Sequence, residues 1–132
     1  MAEINLTLHN GRLQCEELSN ADDRVLTDSD FETFEQWALT YRDILRQRRD
    51  PPVLLELGRH IYAWLDGDLG WLARLKSTSP APLLLIFTSA LRPNAPEMAF
   101  LQVPWELLAD DEGHWAQRQD LSFMPVRRFG KP

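Results

Sequence analysis

The apolar run Leu83-Leu84-Leu85-Ile86-Phe87, directly behind Pro82, constrains the fold more than any other stretch of the chain. The run is too short for a helix, and it does not alternate with polar residues as a strand with one face in water would. It therefore predicts a strand over 83–88 that is buried on both faces, as central strands of parallel sheets are. The rest of the chain has to supply the elements that cover this strand.

A short helix is predicted after this strand, in the segment Val103-Pro104-Trp105-Glu106-Leu107-Leu108. Proline suits the first helical position because its missing N–H would have no intrahelical partner there. Trp105 and Leu108 are three residues apart and fall on one side of such a turn, with Leu107 beside them. A buried strand followed by a proline-started helix indicates an α/β fold.

The N-terminal segment predicts a β-hairpin over residues 3–18. Ile4, Leu6 and Leu8 alternate with polar residues, as in a strand with one buried face. Asn10-Gly11 follows, and this pair favours a type I′ hairpin turn because both residues tolerate positive φ. The return strand is expected over 12–18, and the polar residues 19–28 are expected to form a loop.

Three helices are predicted, over residues 29–49, 51–66 and 69–76. Ser29 and Glu32 match a capping box at the start of the first helix, and Asp50 and Asp68 are expected to cap the second and third. The second helix carries Gly58 in its apolar face, at a cost of about 1 kcal/mol relative to alanine. This cost predicts that another backbone approaches the helix closely at Gly58.

The C-terminal part predicts a turn at residues 110–113, a short strand beginning at Trp115 and a last strand over 121–128. Pro125 cannot donate to a sheet ladder, so this last strand is expected at an edge. The predicted architecture is a single α/β domain over 1–132. Its small sheet contains the hairpin, the central strand 83–88 and the strand 121–128, and two to three helices pack on it.

Composition excludes several classes of function and partner. The formal net charge is −6, whereas binding to nucleic acid or to an anionic membrane depends on surplus Lys and Arg. The start Met-Ala-Glu-Ile-Asn has no signal-peptide pattern, and no stretch approaches the roughly 18 apolar residues of a membrane span. The single cysteine, Cys15, forms no internal disulfide and fits a reducing compartment. A cytoplasmic protein is therefore expected, with no nucleic-acid or membrane partner.

No catalytic site emerges from the residues themselves. The common phosphate-loop, dinucleotide, zinc-protease and serine-hydrolase motifs are absent from the sequence. Cys15 paired with His9, His60 or His114 is conceivable, but Cys15 lies on the apolar face of a predicted strand, where an inert thiol is the usual outcome. Glu106 would be catalytic only if a second ionisable group faced it.

Ion-binding patterns are equally weak, and neither a metal site nor a cofactor is predicted. Asp66-Gly67-Asp68 resembles part of a calcium loop, but no glutamate completes the pattern. The acidic residues 110–112 favour a solvated turn over a cation site. The arginine cluster Arg46, Arg48 and Arg49 favours a solvated helix end over an anion site.

The chain resembles the first part of a CHAT domain. The resemblance is carried by Glu56-Leu57-Gly58 with Leu65, by the strand PLLLIF, by LQVPWELLADDEGHWA and by the final VRR, which occur in the family's order over residues 53–128. Val103 stands where the family usually has leucine before Pro-Trp-Glu. CHAT domains are caspase-like and separase-like domains of bacterial proteins, often joined to TPR repeats. The resemblance implies a caspase-like α/β sandwich and, in complete members, cysteine peptidase activity.

The family's catalytic histidine and cysteine lie after the region that this chain resembles, and neither motif occurs here. The resemblance thus implies a non-catalytic N-terminal subdomain that scaffolds a following peptidase half, its partner being the remainder of the parent chain. The alternative is a free-standing protein–protein interaction module, and a third hypothesis is a hydrolase that uses Cys15. An incomplete sheet is expected to self-associate weakly through a surface near Trp115, Phe123, Met124 and Phe129.

Overall fold

The computed structural model describes residues 2–15, 23–47, 51–67, 70–78, 82–90, 92–118 and 120–130. The strands within these ranges are β1 (Ala2–His9), β2 (Arg12–Cys15), β3 (Arg24–Val25), β4 (Leu83–Ser89), β5 (Ala109–Asp110), β6 (Gly113–His114) and β7 (Met124–Phe129). The helices are α1 (Asp28–Gln47), α2 (Pro51–Asp66), α3 (Trp71–Thr78) and α4 (Ala95–Gln102). The fold is α/β, as the sequence predicts.

The main sheet has the strand order β3-β2-β1-β4-β7, and β5 pairs with β6 in a separate small hairpin. β1, β4 and β7 run parallel, whereas β2 and β3 are antiparallel to their neighbours. Leu85 of β4 lies between Ile4 of β1 and Pro125 of β7 in the register. The apolar run 83–87 is therefore the middle strand of the parallel part of the sheet.

The predicted N-terminal hairpin is present, with Asn10 at φ 51° and Gly11 at φ 72°, as a type I′ turn requires. β2 ends at Cys15, and residues 16–18 of the predicted return strand lie outside the described residues. β3 was not predicted, because only two residues pair there, within a stretch that looks like a polar loop.

The predicted cap of α1 is wrong by two residues. The helix begins at Asp28, and its capping pair is Thr27 and Asp30 rather than Ser29 and Glu32. The Asp30 carboxylate accepts hydrogen bonds from the Thr27 N–H at 2.8 Å and the Thr27 hydroxyl at 3.2 Å. Both spacings satisfy the capping pattern, so sequence alone did not separate them. Residues 48–50, with the predicted end of α1 and the Asp50 cap, lie outside the described residues.

α2 has the predicted bounds, and Gly67 follows it at φ 61°. Within the described residues α3 begins at Trp71, while residue 69, where the helix was predicted to begin, and the predicted cap Asp68 lie outside them. Asp66 serves this helix instead, because its side chain accepts a hydrogen bond from the Ala73 N–H at 3.0 Å. The close backbone approach predicted at Gly58 is present. A β-carbon built there would overlap the carbonyl oxygen of Leu107.

α4 is a helix that the sequence analysis missed, and it replaces the helix predicted at Pro104. The side chain of Asn94 caps α4 by accepting a hydrogen bond from the Glu97 N–H at 2.9 Å. The predicted proline-started helix is a single 3-10 turn, Trp105–Leu107. It stops there because Leu108 is extended, at φ −40° and ψ 125°, and leads straight into β5.

Two expectations for the C-terminal part need correction. Trp115 begins a 3-10 turn, Trp115–Gln117, and the short strand β6 lies just before it. β7 begins at Met124 and not at residue 121, because Ser122 has a positive φ of 44° and the chain turns there. Leu121 and Phe123, on either side of that turn, are buried. β7 is at the sheet edge, as Pro125 predicts.

The helices pack on one side of the sheet. The core contains buried residues of all four helices together with Leu6, Leu85 and Phe87 from that side. Ile86 is also buried but lies outside this core, because alternate residues of β4 point to the other side. The fold is thus a sheet whose described helices pack on one face. The opposite face carries the alternate residues of the same strands.

Candidate functional site

The sheet face opposite the helices, named the open face here, has three rows of side chains across β1, β4 and β7. The rows follow from the strand register and consist of Glu3, Leu84 and Met124; Asn5, Ile86 and Val126; and Thr7, Thr88 and Arg128. The first two rows are mainly apolar, whereas the third is polar and lies at the carboxyl end of the strands. The open face therefore changes from apolar to polar along the strand direction.

The apolar part of the open face is exposed at β7 rather than at its centre. Ile86 is only 2% exposed, and Leu84 and Val126 are half-buried. Met124 on β7 is 59% exposed on this face, and Phe129, at the end of the same strand but on its helical side, is 53% exposed. Trp115 and Phe123, which the sequence analysis expected near the same surface, are buried. The apolar surface without cover is thus concentrated along one strand.

β7 is also the end strand of the sheet. It pairs with β4 on one side, and no described strand pairs with its other side. An uncovered edge strand presents unpaired N–H and C=O groups, which form a template for another strand. Pro125 removes one donor from this strand but leaves the remaining backbone groups of Met124–Phe129 in place. β7 therefore combines exposed apolar side chains with a backbone edge that no described strand pairs.

Arg127 connects β7 to the turn at Trp105 through hydrogen bonds and an ion pair. Its guanidinium donates to the carbonyl oxygens of Leu101 at 2.5 Å and Val103 at 2.6 Å. It also forms a forked ion pair with the two carboxylate oxygens of Glu106, at 3.0 and 2.5 Å. The ionisable group that faces Glu106 is thus an arginine, which keeps its proton in proteins. Glu106 and Arg127 are a structural pair and not an acid–base pair.

The acidic turn at residues 110–112 is held by protein cations. The Asp110 carboxylate accepts hydrogen bonds from Trp115 Nε1 at 2.9 Å, Lys76 at 3.2 Å and Arg118 at 3.1 Å. Glu112 forms ion pairs with the same lysine and arginine. Among the described residues, no group of acids, histidines and cysteine has the arrangement of a metal site.

Burial and hydrogen bonding shift the pKa values of two groups near this turn. Burial opposes the charge on Asp110, but the hydrogen bonds from Trp115, the Glu112 N–H and Lys76 outweigh it, so the pKa of Asp110 is lowered. Burial, together with nearby Asp66 and Asp110, raises the pKa of Tyr62 to about 12. Tyr62 therefore stays protonated near neutral pH.

The structure does not assemble the cysteine and histidines into a dyad. The Cys15 side chain is 3% exposed and belongs to the core, on the sheet side opposite to that of His9. His60 is exposed on α2, and Nδ1 of His114 lies 2.9 Å from the carbonyl oxygen of Leu107. The Cys15 thiol is therefore shielded from solvent, and its burial does not present it to a substrate.

The two other ion-binding patterns weighed from the sequence are described only in part. Asp66 caps α3 through the Ala73 N–H, while Asp68, its partner in the calcium-like pattern, lies outside the described residues. Arg46 is exposed at the end of α1, and Arg48 and Arg49 lie outside the described residues.

The polar row of the open face was missed by the sequence analysis. Thr7 follows the alternating pattern of a water-facing strand position, and Thr88 directly follows the apolar run. Their adjacency depends on the parallel pairing of β1 with β4, which has no signal in the local sequence. The side-chain oxygens of Asn5, Thr7 and Thr88 are buried without a hydrogen-bond partner. Such groups are uncommon in folded proteins and call for an explanation.

Comparisons with protein-family models, with curated proteins and with solved structures find no match to this chain. The resemblance to CHAT domains therefore rests on the motif residues alone. None of the helices that the structure describes is long and apolar enough to cross a lipid bilayer.

Proposed function

We propose that this chain is the non-catalytic N-terminal subdomain of a CHAT-type caspase-like protein and that it scaffolds a peptidase half in the same parent chain. The segments that carry the resemblance support the proposal because they form one packed unit. β4, the turn Trp105–Leu107 and β7 are adjacent, and the Arg127–Glu106 pair joins the last two. The final arginines of the motif thus sit on the edge strand.

The observation that carries the proposal is the exposure of the outer edge of β7. Its outer edge has no described strand, and the exposed side chains Met124 and Phe129 flank it. A strand from the peptidase half would pair with this edge and cover both side chains. Such pairing supplies backbone hydrogen bonds along Met124–Phe129 and removes the exposed template.

The sheet topology supports one mode of attachment for this half. β1, β4 and β7 follow one another in one direction across the sheet, with their connecting helices on the same side. Crossovers between parallel strands are almost always right-handed, so a crossover from β7 to a next parallel strand falls on the helical side again. The attachment surface is therefore the β7 edge, and the open face is not part of it.

Cysteine labelling in the intact natural protein tests the proposal. Met124→Cys and Phe129→Cys are introduced separately in a Cys15→Ser background, and each is labelled with a maleimide in the isolated chain and in the full-length gene product. Leu39→Cys on α1 is the matched control, since Leu39 is 49% exposed on the helical side, away from β7. We expect fast labelling at both β7 positions in the isolated chain and strong protection in the full-length protein, with the control unchanged.

Equal labelling of the β7 cysteines in both forms would overturn the proposal. A natural gene product without a downstream His-Gly and Cys motif would do the same. The free-standing protein-interaction module would then be the better description, because it keeps the exposed β7 without a peptidase half.

A further inference from the structure

A small cleft lies at the carboxyl end of the parallel sheet, between β1 and β4. Its volume is about 270 Å³, and its lining includes Thr7, His9, Thr88, Ser89, Ala90 and Gly130. The cleft is separate from the β7 edge, since it opens between two strands that are paired inside the sheet. It has no role in the scaffolding function proposed above.

The cleft exists because β1 and β4 diverge at their carboxyl ends. Their pairing ends at Thr7 and Thr88, whereas β4 stays paired with β7 as far as Ser89 and Phe129. Beyond this point β1 turns back into β2, and β4 leads to α4 on the helical side. In open α/β sheets, crevices formed in this way at the carboxyl ends of parallel strands are the usual positions of ligands.

Two hydroxyl groups in the cleft wall have no hydrogen-bond partner. Thr88 is 1% exposed, and its Oγ1 and that of its strand neighbour Thr7 are both buried and unpaired. A buried hydroxyl that has lost its water and gained no partner destabilises the fold. Two such groups side by side therefore favour an acceptor that binds between β1 and β4.

The remaining polar groups around the cleft limit the chemical class of this acceptor. The Ala90 N–H already donates to Glu97 at 3.0 Å, and the Gly130 N–H donates to the Ser89 carbonyl at 2.8 Å. The Ser89 hydroxyl donates to the Ala90 carbonyl at 3.0 Å. Phosphate sites commonly use several backbone N–H groups, and these two are already occupied.

Arg128 carries a positive charge in the same row of the open face, although it is not among the residues that line the cleft. It is the β7 neighbour of Thr88 and points to the same face of the sheet. Neighbouring strands lie about 4.8 Å apart, well within the reach of an arginine side chain. Arg128 has no hydrogen bond or ion pair with any residue in the described part of the chain. No carboxylate of the described residues lines the cleft.

We infer that this cleft binds a small carboxylate ligand. One carboxylate accepts hydrogen bonds from the hydroxyls of Thr7 and Thr88 and forms an ion pair with the guanidinium of Arg128. A carboxylate suits this role because it forms forked hydrogen bonds with a guanidinium. The cleft is slightly below the roughly 300 Å³ lower end of ordinary ligand pockets. A short-chain acid of a few carbon atoms therefore fits, and a nucleotide does not.

Titration of the intact chain with succinate, followed by two-dimensional NMR of backbone amides and threonine methyl groups, tests this inference. We expect saturable shifts centred on Thr7, Thr88 and Arg128, and no such shifts with the neutral analogue succinamide. Thr88→Val, Thr7→Val and Arg128→Gln should each weaken succinate binding at least about tenfold, the usual size of losing a hydrogen bond to a charged group. Inorganic phosphate should bind more weakly than succinate.

Asn5→Val is the matched control. The Asn5 side-chain oxygen is also buried and unpaired on the open face, but Asn5 lies one row before Thr7, farther from the carboxyl ends of the strands where the cleft opens, so the variant should keep wild-type affinity. Thr→Val keeps size and branching, and an unchanged or raised melting temperature confirms that the variants fold. Full affinity in Thr88→Val, equal shifts with succinamide, or no saturable shift at about 10 mM succinate would each overturn the inference.

Discussion

The indole ring of Trp105 stacks on the phenyl ring of Phe87, with ring centroids 4.3 Å apart and 7° between the ring planes. Both side chains are fully buried. Trp105 Nε1 also donates a hydrogen bond to the Phe100 carbonyl oxygen at 3.0 Å. One side chain thereby joins the turn at 105–107 to the central strand and to α4. The motif residue Trp105 is a core anchor.

Trp105→Ala should destabilise the fold severely. The substitution removes the stacked ring and its hydrogen bond and leaves a cavity beside Phe87, which typically costs about 3–5 kcal/mol. That is much of the stability of an ordinary domain. Leu39→Ala on the exposed side of α1 is the control and should stay within about 0.5 kcal/mol of wild type. Urea denaturation measures both, and an unchanged midpoint for Trp105→Ala contradicts this packing.

Gly58→Ala should destabilise α2, against the intrinsic preference of helices. Alanine is better than glycine by about 1 kcal/mol in an open helix interior, but a β-carbon at position 58 meets the Leu107 carbonyl oxygen. Backbone has to move, which usually costs about 1–3 kcal/mol. Ala63→Gly at an exposed position of the same helix is the matched control. Thermal unfolding should show both variants less stable than wild type, and a stabilised Gly58→Ala would refute the close approach.

Asp110 should make stability depend on pH in acid. Burial raises its pKa, but the hydrogen bonds from Trp115, Glu112 and Lys76 prevail, so the folded-state pKa lies below the ordinary value of 3.8. A lowered pKa means that the carboxylate stabilises the fold fully above pH 3.8. This stabilisation is lost as the pH falls through the folded-state pKa.

Asp110→Asn should therefore cost about 1–3 kcal/mol at pH 7, and its difference from wild type should shrink at pH values below 3.8. Exposed Asp111→Asn is the control and should stay close to wild type at both pH values. Denaturation at pH 7 and at low pH measures the effect. A pH-independent difference for Asp110→Asn would show that its charge is not what stabilises the turn.

The isolated chain should have no peptidase activity. Cys15 is buried in the core, and His9 at the end of β1 lies on the opposite face of the sheet. Its thiol should react slowly with a maleimide at neutral pH and at full rate in denaturant. Cleavage of a peptide library that disappears in Cys15→Ser would contradict this expectation, whereas cleavage that persists would indicate a contaminating protease.

Local sequence patterns were sufficient for the elements with strong periodicity. The hairpin turn at Asn10-Gly11, the bounds of α2 and the buried strand β4 all follow from residue spacing and backbone preferences. Gly58 was informative because a helix tolerates glycine poorly, so its presence indicated a tertiary contact. These features are encoded within a few residues of the chain.

The missed features depend on relationships between distant residues. α4 has a proline in its first turn and a buried carboxylate, Glu97, so its sequence does not have the usual amphipathic pattern. The 3-10 turn at Trp105 is short because Leu108 enters β5, which pairs only in the folded chain. The row of Thr7, Thr88 and Arg128 needs the parallel register of three strands. The strand row and the length of the 3-10 turn have no local signal, whereas the spacing of Asn94 and Glu97 around a first-turn proline was a local start signal for α4 that the sequence analysis did not use.

The central claim is that β7 is an incomplete edge that another strand completes. Amide hydrogen exchange on the isolated chain, with sedimentation across a concentration series on the same sample, tests it most directly. The account predicts weak self-association, or rapid exchange of amides in Met124–Phe129 while those of β4 stay protected. A strictly monomeric chain with the amides of β7 as protected as those of β4 would contradict it.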